Sequence, residues 1–221
     1  MKKIIINLLL IIQSISFLIT TIIFIIFYNC FDLSFYEKFY KKEKIYEQLN
    51  TSYTELFDNT KNLLNYLKTD IPLNEQWFSK TDIAHMVDVK NLYLTFSFIM
   101  NLTLYIFIAL TILLIIILKK EFIKKYVTFF NKTLLAITSA IIILAIIITI
   151  NFEKFWITFH ETLFSNDLWL LDPASSNLIQ MVPENFFTTL ITKIIIQSLA
   201  LLCSLFILNI IIKKKINNKK I

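Results

Sequence analysis

Apolar residues gather in four long runs that carry almost no charge: Ile4 to Phe27, Leu92 to Leu118, Thr133 to Ile150 and Phe186 to Ile212. Crossing ~30 Å of hydrocarbon takes about 20 helical residues at ~1.5 Å each. The runs are 24, 27, 18 and 27 residues long, so the pattern predicts four transmembrane helices. The third run is the shortest, and Ala136, Ala140 and Ala145 suit it to close packing inside the bundle. The fold class expected is an all-α integral membrane protein with four transmembrane helices and a small, mainly helical extracytoplasmic cap. Its segments are 1–27 (tail and first span), 28–91 (first outer loop), 92–118 (second span), 119–132 (inner loop), 133–150 (third span), 151–185 (second outer loop), 186–212 (fourth span) and 213–221 (basic tail).

The polar stretches are patterned too. Three Ser-x-x-Asp/Glu boxes punctuate residues 28–91: Ser34 with Glu37, Ser52 with Glu55, and Ser79 with Asp82. After the second box, Tyr53, Phe57, Leu63, Leu64 and Leu67 recur at helical spacing and predict one apolar face. Pro72 to Gln76 ends that unit, and the third box opens a helix expected to run through His85 into the second span. In residues 151–185, Phe152, Phe155, Trp156, Phe159 and Leu163 form an amphipathic stripe suited to lying in the headgroup plane. Pro173 marks a turn, and Pro183 is expected as the first helical residue of the fourth span, with Glu184 in its first turn.

Composition agrees with a membrane chain: of 221 residues, 57% are hydrophobic and 17% charged, with no glycine. Without glycine there is no P-loop, dinucleotide fingerprint or nucleophile elbow. All 22 basic residues are lysine, and their placement orients the chain. The N-terminal Met1-Lys2-Lys3, the inner loop with five lysines against one acid, and the tail with five lysines and no acid belong in the cytoplasm. The two outer loops are acidic on balance, with eight lysines against ten acids and one against five. The net charge of +6 is therefore a topology signal, and no nucleic-acid partner is implied. The first run is too long for a signal-peptide core and lacks a small-residue cleavage site, so it is expected to stay attached. Cys30 and Cys203 fall toward opposite ends of their spans and cannot pair.

The two histidines, His85 and His160, both lie in outer segments close to a span. Asp82 and Asp88 stand three residues either side of His85, so either carboxylate is placed to fix that ring's tautomer. Two imidazoles flanked by acids are also an ordinary solvated surface, and the pattern leaves both readings open. A metal site would need His85 and His160 with one of Asp88, Glu161 or Glu184. Phe164 stands where a zincin's second histidine belongs. No serine has a recognisable nucleophile setting. Lys193 is the one charge inside a span; it either snorkels to the outer interface or faces the bundle and stabilises negative charge. Trp77, Trp156 and Trp169 all fall in outer loops, as in an interfacial aromatic belt. Lys193, Trp156 and Trp169 are the candidate substrate-binding residues.

Two stretches carry a resemblance. Residues 77–90, WFSKTDIAHMVDVK, and 159–187, FHETLFSNDLWLLDPASSNLIQMVPENFF, resemble the paired signatures of the lipoprotein intramolecular transacylases, the Lit proteins of Gram-positive bacteria; NLLNYL at 62–67 is a weaker match. The resemblance implies an acyltransferase of the bacterial cell membrane acting on diacylglyceryl-modified lipoproteins, with membrane lipids around it. It would move the sn-2 acyl chain to the α-amino group of the N-terminal cysteine, giving the lyso-form, with no cofactor. His85 and His160 would be its essential histidines, and Asp88 and Glu184 would be carried over with them as catalytic residues. In one assignment His85 is the base on the amine, oriented by Asp88, while His160 serves the oxyanion or the leaving group; the reverse assignment is also open. Two other classes are weighed against this: a non-catalytic module binding lipid or protein through its cap, and a small transporter. The transporter would want broken or ionisable mid-membrane helices, and these spans offer only Lys193.

Overall fold

In a computed structural model, residues 2–218 are described; Met1 and residues 219–221, with two of the tail lysines, lie outside them. The described residues form helices and no strand: α1 Lys2–Cys30, α2 Leu33–Glu43, α3 Ile45–Gln48, α4 Tyr53–Lys68, α5 Lys80–Leu118, α6 Phe122–Ile150, α7 Phe152–Leu163, α8 Asn177–Met181 and α9 Glu184–Asn218. Three helical stretches are long and apolar enough to cross a membrane: Lys2–Cys30, Lys80–Ile150 and Glu184–Asn218. The middle one, of 71 residues, is interrupted by a 3-10 turn at Lys119–Glu121, where Lys119 takes φ 46°. Fully extended as one helix it would be ~105 Å long, over three times the hydrocarbon thickness.

The chain forms two compact units. One takes the residues up to Ile26, Ser97–Thr149 and those from Lys193 on. Here the packing shows that α5 and α6 reverse at the 3-10 turn. Leu10 of α1 meets Leu114, Leu118 and Phe122, whereas Leu18, two turns on, meets Phe130, Leu134 and Leu202. Thr20 reaches Thr103 at 2.7 Å and Gln13 donates to Thr111 at 2.6 Å. Advancing along α1 thus runs backward along α5 and forward along α6. Of the three alanines expected at a packed interface, Ala136 and Ala140 lie on the exposed side of α6 and Ala145 is half-buried, while the contact face is made of Val127, Phe130 and Leu134. Large side chains interdigitating with α1 set that spacing, so small residues have no close approach to serve.

The second unit takes Phe27–Phe96 and Ile150–Thr192. Its core gathers Phe35, Tyr36 and Phe39 of α2 around Phe186 of α9, at ring distances of 5.2, 4.8 and 5.1 Å. Tyr40 and Thr60 join α2 to α4 through a buried 2.9 Å hydrogen bond. The buried face of α4 is Leu56, Asn59, Thr60, Leu63 and Leu64; Tyr53 and Phe57 stack on one another at its half-exposed rim. The loop after α4 is held by asparagines: Asn62 donates to the Pro72 carbonyl at 3.0 Å, and Asn74 donates to Asn59 at 2.8 Å.

The helix starts follow local chemistry, with two corrections. Ser52 caps α4, its hydroxyl accepting from the Glu55 N–H at 3.1 Å, and Ser79 and Asp82 form a reciprocal box at 3.0 and 3.1 Å. Ser34 is not the cap of α2: that helix starts at Leu33, and the Asp32 carboxylate receives the Ser34 N–H, leaving Glu37 to pair with Lys41. Pro183 stands one position ahead of α9, where its carbonyl accepts from Phe186 and Phe187. With no N–H of its own, proline at that position leaves nothing unsatisfied.

Candidate active site

Both histidines fall in the second unit. His85 sits near the start of α5, ahead of the apolar run, and His160 sits in the last turn of α7. Each is about nine-tenths buried, with 8% and 7% exposure, and their ring centroids lie 6.2 Å apart at 36°. Residues 75 positions apart in the chain therefore converge, as a shared site requires. Phe164, which ends α7, packs against both rings, at 5.4 and 5.7 Å.

The stripe expected on α7 builds the wall around His160. Phe152, Trp156 and Phe159 stack along one side, with Phe152–Trp156 at 5.7 Å and Trp156–Phe159 at 5.5 Å. Trp156 meets the His160 ring edge-on at 4.6 Å and Phe187 of α9 at 4.5 Å. Trp169, from the loop beyond α7, lies over the imidazole face at 4.9 Å and 28°. Two of the candidate substrate-binding residues thus touch a histidine. The third, Lys193, is half-buried and belongs to the other unit.

His160 Nδ1 lies 2.8 Å from the Trp156 carbonyl oxygen, one turn earlier. A carbonyl only accepts, so Nδ1 carries the proton and, in the neutral ring, Nε2 keeps its lone pair. The carboxylates expected to do this for His85 are engaged elsewhere. Asp82, wholly buried, accepts from the Ser79 N–H and from the Ser176 hydroxyl. Asp88 accepts from the Asn166 amide at 2.9 Å. Among the described residues, no group hydrogen-bonds the His85 ring.

Burial holds both imidazoles below their ordinary range. His85 is lowered to about 4, first by desolvation and then by the neighbouring His160, with Asp88 and Asp82 pulling the other way. His160 is lowered by desolvation, opposed by its bond to the Trp156 carbonyl. Both rings are neutral at pH 7. Among the described residues, no group of three or more His, Cys, Asp or Glu is placed to hold a metal ion. Glu184 is exposed at the start of α9, where it lines a shallow groove with Pro183, Asn185, Thr188 and Thr189.

Sequence reasoning missed the Trp156 carbonyl, Phe164, Asn166 and Ser176. A histidine's Nδ1 can reach the carbonyl four residues back on its own helix, and that is the signal that could have found Trp156. Asn166 and Ser176 carry no such signal, because their partners are 78 and 94 positions away.

Comparison with known proteins adds to this geometry. The family model described as lipoprotein intramolecular transacylase Lit matches residues 11–187. Among solved structures, the chain is similar to the membrane-integral lipoprotein intramolecular transacylase Lit from Bacillus cereus, with a TM-score of 0.80 and 25% identity over 96% of this chain and 98% of that one. Two further structures of that enzyme carry a histidine replaced by arginine or by alanine. They match with TM-scores of 0.75 and 0.76, at 24% and 25% identity, over 97% and 99% of this chain and 96% of each of theirs. No curated protein matches the chain.

Proposed function

The chain belongs to the lipoprotein intramolecular transacylase family, and from that premise and the geometry of the two imidazoles we propose that it moves the sn-2 acyl chain of a diacylglyceryl-modified lipoprotein onto the α-amino group of the same molecule's N-terminal cysteine, leaving the lyso-form. His160 is the base and the proton carrier. Its Nδ1 is held on the Trp156 carbonyl, and this single contact supports the assignment, because it leaves Nε2 free to accept. His85, neutral and about 6 Å away, donates a ring N–H to the oxyanion. A neutral imidazole is the form suited to polarising a carbonyl, and burial keeps His85 in it. This reverses the assignment in which Asp88 orients His85 as base.

The steps balance without a further reactant. The α-amine, with a reference pKa of ~7.7 to 8.0, attacks the ester carbonyl and forms the N–C bond. Attack makes the nitrogen acidic, and its proton passes to His160 Nε2. The developing oxyanion is met by His85. As the carbon–glycerol oxygen bond breaks, the His160 imidazolium returns the proton to that oxygen. Nucleophile and ester belong to one molecule, so positioning supplies much of the acceleration. Trp156 and Trp169 flank the ring the substrate must reach, which suits them to lining its path. Glu184 lines a shallow, mainly apolar groove at the start of α9 and takes no part in this proton transfer.

The lysine distribution supports α1, α5, α6 and α9 as four crossings, both termini in the cytoplasm and the histidines at the extracytoplasmic face. Acyl tails in the outer leaflet then deliver the ester directly to the site. The transfer leaves the mass unchanged, so the assay is loss of a free α-amine from a diacylglyceryl lipopeptide, with fragment ions placing the acyl chain on nitrogen. The wild-type protein blocks the amine. His160→Ala and His85→Ala abolish that conversion at normal protein levels. Full conversion by either variant would reject its catalytic role.

A further inference from the structure

The segment from Phe164 to Ser176, between α7 and α8, has no regular structure, yet it is tied to α5 at two points. Asp82, His85 and Asp88 succeed one another three residues apart on that helix. Near one end of the segment, the Asn166 amide donates to Asp88 at 2.9 Å, while its own oxygen accepts from the Leu168 N–H at 3.0 Å. At the other end, the Ser176 hydroxyl donates to Asp82 and accepts from the Ile179 N–H at 3.2 Å, capping α8. Between the ties, Asp172 takes the Ala174 N–H at 2.9 Å and Trp169 lies over His160.

We propose that Asp82 with Ser176, and Asp88 with Asn166, are positioning residues: their two ties strap residues 164–176 to the His85 face of α5, and through Trp169 hold the His160 ring in its working orientation. This rests on the reading of His160 as base. The ties differ in strength for a stated reason. Asp82 and Ser176 are essentially inaccessible, so a lost partner there cannot be replaced by water. Asp88 and Asn166 meet at the surface, where water competes. The strap thus has a dry anchor and a wet one.

The experiment compares Ser176→Ala, Ser176→Thr, Asn166→Ala and, as a control, Gln180→Ala, whose amide holds the strap's Pro173 carbonyl to α8 but makes no tie to α5. The amine-blocking assay is run across pH with the diacylglyceryl lipopeptide. Ser176→Ala is expected to lower kcat about tenfold, the scale of a small misplacement of a catalytic group. Asn166→Ala is expected to lower it less, Ser176→Thr to restore it, and Gln180→Ala to leave it unchanged.

The acid limb of the profile moves to higher pH in Ser176→Ala and Asn166→Ala, because a ring freed of Trp169 returns toward the ordinary imidazole range. Titratable and charged groups on the elements around the ring are Lys80, Asp82, His85, Asp88 and Lys90 on α5, Glu153, Lys154 and Glu161 on α7, Asp167 and Asp172 in the strap, and Glu184 at the start of α9. None is substituted, and burial rather than a neighbouring charge is what lowers His160, so the limb reports the cover over the ring. A purely structural role would reduce active protein without moving the limb, and that result would overturn the proposal; so would wild-type rates and limbs in both alanine variants. Asn166→Ala, at an exposed site, keeps the test open should Ser176→Ala fold poorly. Activity surviving His160→Ala would remove the reading beneath. A dead His160→Ala beside an unaffected Ser176→Ala would remove the strap alone.

Discussion

The two units bury polar side chains in quite different ways. In the unit of long apolar helices, the buried polar residues are Gln13, Ser14, Ser16, Ser198 and Asn209, none of them ionisable. Gln13 spends its bond on Thr111 of the neighbouring α5, and Ser14 turns back onto its own helix at the Leu10 carbonyl, 2.8 Å away. In the other unit the buried set includes Asp82, His85 and His160 beside the phenols Tyr36 and Tyr40, and among the described residues every buried ionisable group falls in this unit. Buried polarity alone is therefore no sign of chemistry here. In hydrocarbon, hydroxyls and amides are glue for neighbouring helices. What marks the site is buried groups able to exchange a proton, with one lone pair left free.

That contrast is easiest to break at the histidines. His160→Gln removes the only proposed proton acceptor, and the rate of amine blocking should fall by about a thousandfold. His85→Gln keeps an N–H donor near the oxyanion and should lose much less, about tenfold. Equal losses in the two variants would remove the division of labour between them.

A buried carboxylate in the cap should matter more to stability than a buried amide in the helices. Asp82→Ala leaves the Ser79 N–H and the Ser176 hydroxyl without their acceptor, and should cost about 3 kcal/mol in denaturant or thermal unfolding in detergent. Gln13→Leu, which replaces a single amide bond by an apolar contact, should cost under about 1 kcal/mol and leave transfer activity unchanged.

Protonation sharpens the comparison further. His85 and His160 have folded-state values below that of an unfolded histidine, about 6.5, so the unfolded chain binds more protons over that interval. Their contribution is present above pH ~6.5 and is lost as pH falls, for His85 through about 4. Melting temperature should therefore drop between pH 6.5 and 4, and should drop less in His85→Ala. Activity should persist somewhat below pH 6.5, because His160 Nε2 stays unprotonated there. At the rim of the cap, Ser52→Ala removes the acceptor for the Glu55 N–H and costs about 1 kcal/mol without touching the rate.

Much of this was legible in the sequence because the signals involved are short-range. Hydrophobic runs place helices, and Ser52 and Ser79 mark helix starts through bonds three residues long. The same locality explains the misses. Ser34 fits the box pattern as well as Ser52 does, but Asp32 lies two positions earlier and receives its N–H. Ala136 and Ala140 have the right size for a packed interface, yet which face of α6 meets α1 depends on Phe130 and Leu134.

The amino-acid order limited the chemistry to two imidazoles, since no other residue offered a base near neutral pH, and the aromatic stripe on α7 already named the wall beside one of them. Which of the two accepts the proton is a matter of packing. His85 has acids on either side at helical spacing, but these are drawn off by Ser176 and Asn166 from a distant segment, while His160 turns its Nδ1 back onto its own helix. A carboxylate bonds whichever donor the fold brings within 3 Å of it, and no local pattern carries that information across 78 or 94 residues.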